Sequence, residues 1–156
     1  MRTINIKLII AIITITILAG CPKVPADDPC SLQVSGNSRF LVHENGEPFF
    51  PIADTAWGIA WKLNRKEVDR YLQRRKEQSF NTIALIAFPS YEGAAILPNA
   101  YGNYVFETTG NRWNPLQPIT TPGENPENAV EYDYWDHLEY IIDASGDKGM
   151  YVVLLP

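Results

Sequence analysis

The sequence predicts an α/β fold built on a parallel sheet. Residues 81–89 and 150–155 are two nearly continuous apolar runs of strand length, and such continuity indicates burial on both faces, as in a parallel sheet. Two stretches with helical spacing of apolar residues alternate with these runs. Strands that alternate with helices imply right-handed βαβ crossovers, so the strands are expected to run in the same direction.

A β-hairpin is predicted in front of this sheet. Asn45 and Gly46 separate two apolar runs, and this dipeptide is a strong hairpin signal because both residues accept the positive φ of a tight turn. The second apolar run continues into a strand that ends at Asp54.

Capping signals predict two helices. Asn64 followed by Glu67 has the spacing of a capping box, in which the two side chains bind each other's backbone amides. The second helix is expected from about residue 132 to 145, with Asp133 or a neighbour as its cap and glycines at its end.

Residues 1–20 have the pattern of an export signal. Two basic residues precede the apolar stretch 8–20, which is too short to span a bilayer but fits the core of a signal peptide. The sequence Leu-Ala-Gly-Cys at 18–21 resembles the lipobox of bacterial lipoproteins, so Cys21 is predicted to carry the lipid. Several acyl chains on one residue hold a protein stably on a membrane. We therefore expect a protein that is exported and lipid-anchored to the bacterial cell membrane or outer membrane.

The chain is expected to consist of a signal peptide (1–20), a tether (21–38) and a folded part (39–156). The tether is rich in proline and small polar residues and has no apolar period. If Cys21 is acylated, Cys30 has no partner within the chain, and a Cys21–Cys30 disulfide is the alternative.

The net charge of the chain without residues 1–20 argues against nucleic acid as a partner. Residues 1–20 hold two of the 13 basic residues and none of the 18 acidic ones, so the chain without them has a net charge of −7. Nucleic acid is therefore not expected as a partner.

Four segments resemble the apiosidase-like family of bacterial glycoside hydrolases. They are residues 39–50, 49–57 (FFPIADTAW), 75–83 and 134–142, in that order along the chain. The resemblance implies a (β/α)8 TIM barrel, export as a lipoprotein, and hydrolysis of O-glycosidic bonds in side chains of plant or other complex polysaccharides. Such a barrel takes about 250 residues. Residues 39–156 are therefore predicted to be its truncated N-terminal portion, with about three strands after the hairpin.

The catalytic residues are expected outside this chain. Glycoside hydrolysis needs two carboxyl groups about 5–9 Å apart, and in barrels such groups lie at the carboxyl ends of strands. In families that resemble this one they come from later strands. The resemblance thus implies a catalytic pair beyond residue 156 and no hydrolase activity of this chain by itself.

Substrate-binding residues are predicted just after the first barrel strand. Asp54 follows a buried strand, so its carboxylate is expected to open onto the catalytic face. There it would accept hydrogen bonds from sugar hydroxyls or from a basic partner on a neighbouring strand. The alternative is a structural role toward the backbone of its own loop. Trp57 and Trp61 lie just beyond, and their rings suit stacking on sugars or packing in the core.

The long segment 90–131 is the second candidate region. It follows a strand, it shows no regular pattern, and loops of this length in compact domains are usually functional. Tyr91 and Trp113 lie there among asparagine and glycine residues, and flat rings beside amide groups suit sugar binding. These two residues complete the predicted substrate-binding set.

No cofactor or metal is expected. The sequence contains no zinc-ligand spacing, no phosphate-binding glycine loop and no Gly-x-Ser-x-Gly motif. The expected partners are an oligosaccharide or polysaccharide and, through the lipid anchor, a membrane. A non-catalytic surface lipoprotein that binds glycans is the alternative function.

Overall fold

The computed structural model of the protein describes residues 31–89 and 96–156. The predictions about the signal peptide, Cys21 and Tyr91 lie outside the described residues. The described elements are β1 (Leu32–Val34), β2 (Leu41–His43), β3 (Pro48–Phe49), β4 (Ala53–Thr55), α1 (Ile59–Lys62), α2 (Arg65–Glu77), β5 (Thr82–Ile86), β6 (Phe106–Thr109), β7 (Arg112–Pro118), α3 (Tyr134–Gly146) and β8 (Tyr151–Leu155).

The central sheet is parallel, as predicted. Its strand order is β4-β5-β8, and Ala53, Thr82 and Tyr151 stand side by side at the beginning of the three strands. The two long helices, α2 and α3, connect β4 to β5 and β5 to β8. The chain therefore has a mixed α/β fold with its parallel strands joined by helices.

A small antiparallel sheet of β1, β2 and β3 precedes the central sheet. Gly46 has a φ of 84° in the turn between β2 and β3, which confirms the predicted hairpin. The ring of Phe49 lies 4.8 Å from that of Tyr151, so this sheet packs at the beginning of β8. The strand β1 falls within the predicted tether, which the sequence analysis did not expect to contain structure.

Both predicted helix starts are confirmed. Asn64 caps α2 and forms the reciprocal capping box with Glu67, and Asp133 caps α3 in the same manner with Asp136. The core lies between the helices and the parallel sheet, and its fully buried members include Val68, Leu72, Ile83, Leu85 and Ile141.

The segment between β5 and α3 contains a β-ribbon that the sequence analysis missed. Strands β6 and β7 pair antiparallel from Phe106↔Pro118 to Thr109↔Arg112, so Gly110 and Asn111 form a two-residue turn. The expectation of no regular structure over 90–131 is therefore wrong for residues 106–118.

In the described part of the chain β8 is an open edge of the sheet, with exposed apolar side chains on both of its faces. Val153, Leu154 and Leu155 are 46%, 45% and 39% exposed. None of the helices described here is long and apolar enough to cross a bilayer.

Candidate functional site at the carboxyl ends of the parallel strands

The carboxyl ends of β4, β5 and β8 form one edge, where parallel α/β folds generally bind their ligands. Backbone hydrogen bonds extend the pairing just beyond the strands: the amide of Ala56 donates to the carbonyl of Ala84 at 2.8 Å, and the amide of Ala87 donates to that of Leu155 at 2.7 Å. The chain segments that leave the three strands are thus held in register at this edge.

The side chain of Asp54 lies on the helix-covered face of the parallel sheet. Neighbouring residues of a strand face opposite sides of a sheet, and Asp54 is paired in register with the fully buried Ile83. Its carboxylate therefore lies on the side covered by helices, which differs from the predicted opening onto the catalytic face.

Two side chains of α2 bind the Asp54 carboxylate. The Tyr71 hydroxyl and the Arg75 Nε–H both donate to its Oδ2 atom, and the side chains of Arg75 and Asp54 are 29% and 20% exposed. The basic partner comes from the following helix and not from a neighbouring strand. A role of Asp54 in sugar binding stays a prediction.

This cluster is electrostatically coupled. Burial raises the pKa of the Tyr71 hydroxyl, and the adjacent Asp54 raises it further. Hydrogen bonds with Tyr71 and Asp54 raise the pKa of the Arg75 guanidinium, which also lies 4.7 Å from the centroid of the Tyr71 ring. The arrangement fixes the Tyr71 ring against the strand.

Trp57 offers an exposed aromatic surface beside the sheet edge. Its side chain is 56% exposed and borders a shallow depression of about 280 Å³ together with Thr55, Lys62 and Tyr71. The Trp57 carbonyl accepts from the amide of Ile86 at 3.4 Å. A flat apolar ring beside a cation and a phenol suits a polar ring-shaped ligand.

Trp61 and Trp113 are placed differently from Trp57. Both are partly buried and pack against the core. The Trp113 ring lies 5.9 Å from that of Phe88 and 6.3 Å from that of Phe106, in an aromatic cluster just after β5. The buried Nε1 atoms of Trp113 and Trp135 have no hydrogen-bond partner.

The long connection from β5 to α3 is tied to this edge at several points. The Tyr134 hydroxyl donates to the carbonyl of Ala87 at 2.9 Å, and it is fully buried. The Asp133 carboxylate, besides capping α3, accepts from the amide of Thr121 at 2.7 Å. The Asn103 side chain donates to the carbonyl of Tyr132 at 2.8 Å.

A buried histidine network anchors the same connection to α2. The Nε2 atom of His137 lies 2.8 Å from the carbonyl of Leu63, which can only accept, so Nε2 carries the proton. Its Nδ1 atom lies 3.0 Å from the Tyr132 hydroxyl and accepts from it. That hydroxyl in turn accepts from Arg65 Nε at 2.9 Å.

Burial controls the proton affinities in this network. It lowers the pKa of His137, the hydrogen bond to Leu63 opposes this effect in part, and the nearby Arg65 charge adds a smaller lowering. Burial also raises the pKa of Tyr132 to about 12. The described residues therefore hold a neutral His137 inside the fold, where it links elements and is shielded from the sheet edge.

Residues 31–89 and 96–156 contain no group of three or more histidine, cysteine, aspartate or glutamate residues that is placed to hold a metal ion.

The fold and the site define the class of protein: an α/β protein whose parallel strands present an aromatic surface at their carboxyl ends. A model of the protein family described as "Apiosidase-like, catalytic domain" matches residues 35–156. The chain belongs to the apiosidase-like family, which confirms the resemblance found in the sequence.

Solved structures of glycoside hydrolases share this fold. A family 5 glycoside hydrolase from Bacteroides vulgatus ATCC 8482, solved at 1.90 Å, matches with a TM-score of 0.60 and 31% identity over 81% of this chain and 24% of that protein. A second structure, described as a glycoside hydrolase, matches with a TM-score of 0.59 and 32% identity over 81% and 25%. The chain therefore spans about a quarter of the length of these two proteins. A search of curated proteins found no match.

Sequence reasoning missed Tyr71 and Arg75 as the partners of Asp54. The spacing of these two residues could have indicated the contact. They are four apart and lie on the same stripe of the helix as the buried Val68 and Leu72. A charged residue on the apolar stripe of a helix needs a buried partner, and Asp54 was the nearest strand carboxylate.

Proposed function

We propose that this chain is the N-terminal part of an exported, lipid-anchored glycoside hydrolase barrel. The hydrolase would cleave O-glycosidic bonds in side chains of plant or other complex polysaccharides, with two carboxylates supplied beyond residue 156. The observation that carries the proposal is the family match over residues 35–156, on a chain that spans about a quarter of two glycoside hydrolases of the same fold.

The described carboxylates support the proposal that the catalytic pair lies beyond residue 156. The catalytic pair of a glycoside hydrolase needs two free carboxyl groups about 5–9 Å apart. Asp54 is the only acidic residue within the parallel strands described, and its carboxylate is bound by Tyr71 and Arg75. The catalytic pair is therefore assigned to later strands of the barrel.

The direct test is to express this chain together with the coding sequence that continues in frame. We expect two acidic residues at the ends of later strands and release of reducing sugar from pectic side-chain oligosaccharides. Alanine at either acidic residue should reduce turnover by a factor of about 10³ or more. A continuation without such carboxylates, or one with no hydrolysis, would contradict the proposal.

Trp57 is the residue we assign to sugar contact. Because its ring is 56% exposed at the carboxyl end of β4, Trp57→Ala should weaken oligosaccharide binding by about 1–2 kcal/mol, measured by isothermal titration. Phe50→Ala is the matched control, since Phe50 is 78% exposed but precedes β4 at the other end of the sheet. Equal loss in both variants would remove Trp57 from the site.

A glycan-binding surface lipoprotein without catalysis is the second candidate. The exposed Trp57 and its depression favour it, because such a surface binds sugar without a catalytic pair. Isothermal titration of residues 22–156 against oligosaccharides separates the two functions: binding by these residues together with no hydrolysis by any in-frame continuation would favour this candidate.

Lipid anchoring is proposed from the sequence at residues 18–21. Expression in a bacterial host with labelled palmitate should label the chain, and Cys21→Ser should abolish the label. Cys30→Ser is the control that leaves the label in place. Label retained in the Cys21 variant would contradict the anchor.

A further inference from the structure

We propose that the amino ends of the parallel strands form the membrane-facing side of the anchored protein, so that the edge beside Trp57 is turned away from the bilayer. The proposal rests on the proposed lipid anchor at Cys21, and it adds the orientation of the fold on the membrane. Three features carry it: the place where the chain enters the fold, the bonds that fix this place, and the length of the tether.

The chain enters the fold beside the amino ends of the parallel strands. The first described strand, β1, pairs with β2, and the hydroxyl of Ser31 just before it donates to the Glu44 carboxylate at 2.8 Å. The hairpin that receives both contacts lies against the beginning of β8, where the rings of Phe49 and Tyr151 are 4.8 Å apart. The tether therefore reaches the fold on this side.

The small sheet is also fixed to the beginning of β5. The Asn81 side chain, directly before β5, donates to the carbonyl of Phe50 at 2.8 Å and accepts from the amide of Ile52 at 2.7 Å. The Asn81 amide donates to the carbonyl of Ile52 at 3.1 Å. Because these bonds join the segment between β3 and β4 to β5, the entry side cannot swing toward the carboxyl ends of the strands.

The candidate site lies at the opposite end of the same strands. Trp57 follows β4, and the aromatic contact between Phe88 and Trp113 lies just after β5. The five residues of β5 (Thr82–Ile86) rise about 16 Å at about 3.3 Å per residue. The length of the sheet therefore separates the entry point from the aromatic surface.

The tether is too short for the fold to turn over on the membrane. The chain advances ten residues from Cys21 to Ser31, and ten residues reach about 36 Å at most. A compact fold of this length has a radius of about 17 Å, so a tether that passed around it to a bilayer on the far side would need about 45 Å. A longer barrel would increase this distance. The carboxyl ends of the strands therefore cannot face the bilayer.

This orientation narrows the class of substrate. An edge on the far side of the fold is open to a long polysaccharide, which can lie across the exposed ring of Trp57 without passing between the protein and the lipid. The sugar headgroup of a glycolipid in the same bilayer would have to cross the length of the sheet. We therefore expect a polymer in the surrounding solution as the substrate.

Energy transfer from two dye positions to acceptor lipids measures the orientation. The lipidated chain carries Cys30→Ser and either Glu47→Cys in the hairpin or Asn111→Cys in the turn of the β6–β7 ribbon, both at exposed positions. The lipid blocks the thiol of Cys21, so the dye labels only the new cysteine. The chain is placed at low surface density in vesicles with a fluorescent acceptor on the lipid headgroups. Because the two positions differ by about 16 Å or more along the strands, transfer from position 47 should be at least about twofold larger.

A longer tether is the matched control. About 30 glycine and serine residues inserted before Ser31 give a flexible linker with a root-mean-square length of about 32–38 Å and a full reach far beyond the path around the fold. The ratio of the two transfers should then fall toward one. Equal transfer from both positions with the natural tether, larger transfer from position 111, or a ratio unchanged by the insertion would each overturn the proposal.

Labelled palmitate separates this proposal from the proposed function. A chain without palmitate would contradict the anchor and the orientation together. Equal transfer from a chain that does carry palmitate would overturn the orientation alone. Hydrolysis is not measured, so neither result bears on the proposed catalytic pair.

Discussion

Asp54 joins the first parallel strand to the helix that follows it in the chain. Its carboxylate accepts hydrogen bonds from the Tyr71 hydroxyl and the Arg75 guanidinium. Asp54 therefore links β4 directly to α2. Trp57 lies in the segment between these two elements. Tyr71 also borders the depression beside Trp57, so the geometry of the aromatic surface depends on the neighbouring Asp54 cluster.

Asp54→Asn should destabilise the fold. The variant leaves the partly buried Arg75 without its counter-charge, and the loss of such a charge-assisted bond costs about 1–2 kcal/mol in the free energy of unfolding. Urea denaturation followed by tryptophan fluorescence measures this. Glu77→Gln is the control, because Glu77 and Arg74 are 50% and 70% exposed, and its effect should stay within about 0.5 kcal/mol. Equal effects would mean that the Asp54 pair contributes no more than a surface pair.

His137 should make the stability depend on pH. Its pKa is lowered in the folded protein, so the unfolded chain binds more protons as the pH falls below about 6.5. Stability is therefore fully present above that pH and is lost as the pH falls toward the folded-state pKa. Melting temperatures measured from pH 7.5 to 5 should fall more steeply in the parent chain than in His137→Gln.

The other histidine provides the control for that prediction. His43 lies half-buried on β2, and the His43→Gln variant should retain the steep pH dependence. A pH dependence that survives in His137→Gln would show that other groups are responsible.

At the scale of elements, the two long helices are fixed at their first turns. Asn64 accepts only from the amide of Glu67 at 3.0 Å. Asp133 accepts from the amides of Trp135 and Asp136 and also from Thr121. The cap of α3 thus anchors the long connection in addition to starting the helix.

Asp133→Ala should cost more than Asn64→Ala. Loss of a cap costs about 1 kcal/mol, and loss of Asp133 also removes the acceptor of the Thr121 amide, for a total of about 2–3 kcal/mol. Chemical denaturation of both variants gives the comparison, and trypsin digestion should cut the 96–133 segment faster only in the Asp133 variant. Equal costs would show that the bond to Thr121 adds nothing.

Capping residues made the helices predictable, because a cap is a local interaction that the sequence contains in full. The ribbon β6–β7 was missed although Gly110-Asn111 is a recognised two-residue turn, since Pro115 and Pro118 weigh against a strand. Its stability comes from the packing of Phe106 and Trp113 on Phe88. That packing is a tertiary contact, so the local pattern did not reveal it.

The candidate site shows the same difference between local signals, which a sequence contains, and tertiary contacts, which it does not reveal. Trp57 lies exposed just beyond β4, whereas the sequence left both sugar stacking and core packing open for it, and its role in sugar binding stays a prediction. The direction of Asp54 depends on which face of β4 the helices cover, and this is set by the pairing with β5. Periodicity could not decide this for a strand of three residues.

At the scale of the whole molecule, the described sheet has two open sides. In residues 31–89 and 96–156 the strands β4 and β8 each pair only with β5, and the apolar side chains Val153, Leu154 and Leu155 are 39% to 46% exposed. An exposed apolar edge strand is a template for association with other chains. The chain alone is therefore expected to self-associate.

Leu154→Lys should reduce that self-association. A lysine at position 154 of the open edge strand β8 removes exposed apolar area and adds repulsion between copies. Burying one leucine contributes about 1.5–3 kcal/mol, and each 1.4 kcal/mol is about tenfold in concentration. Sedimentation velocity should show association at about tenfold higher concentration or more. Val130→Lys is the matched control, because Val130 is 72% exposed in the connection before α3. If both lysine variants associate like the parent chain, the open edge of β8 does not drive association, and other exposed residues must be responsible.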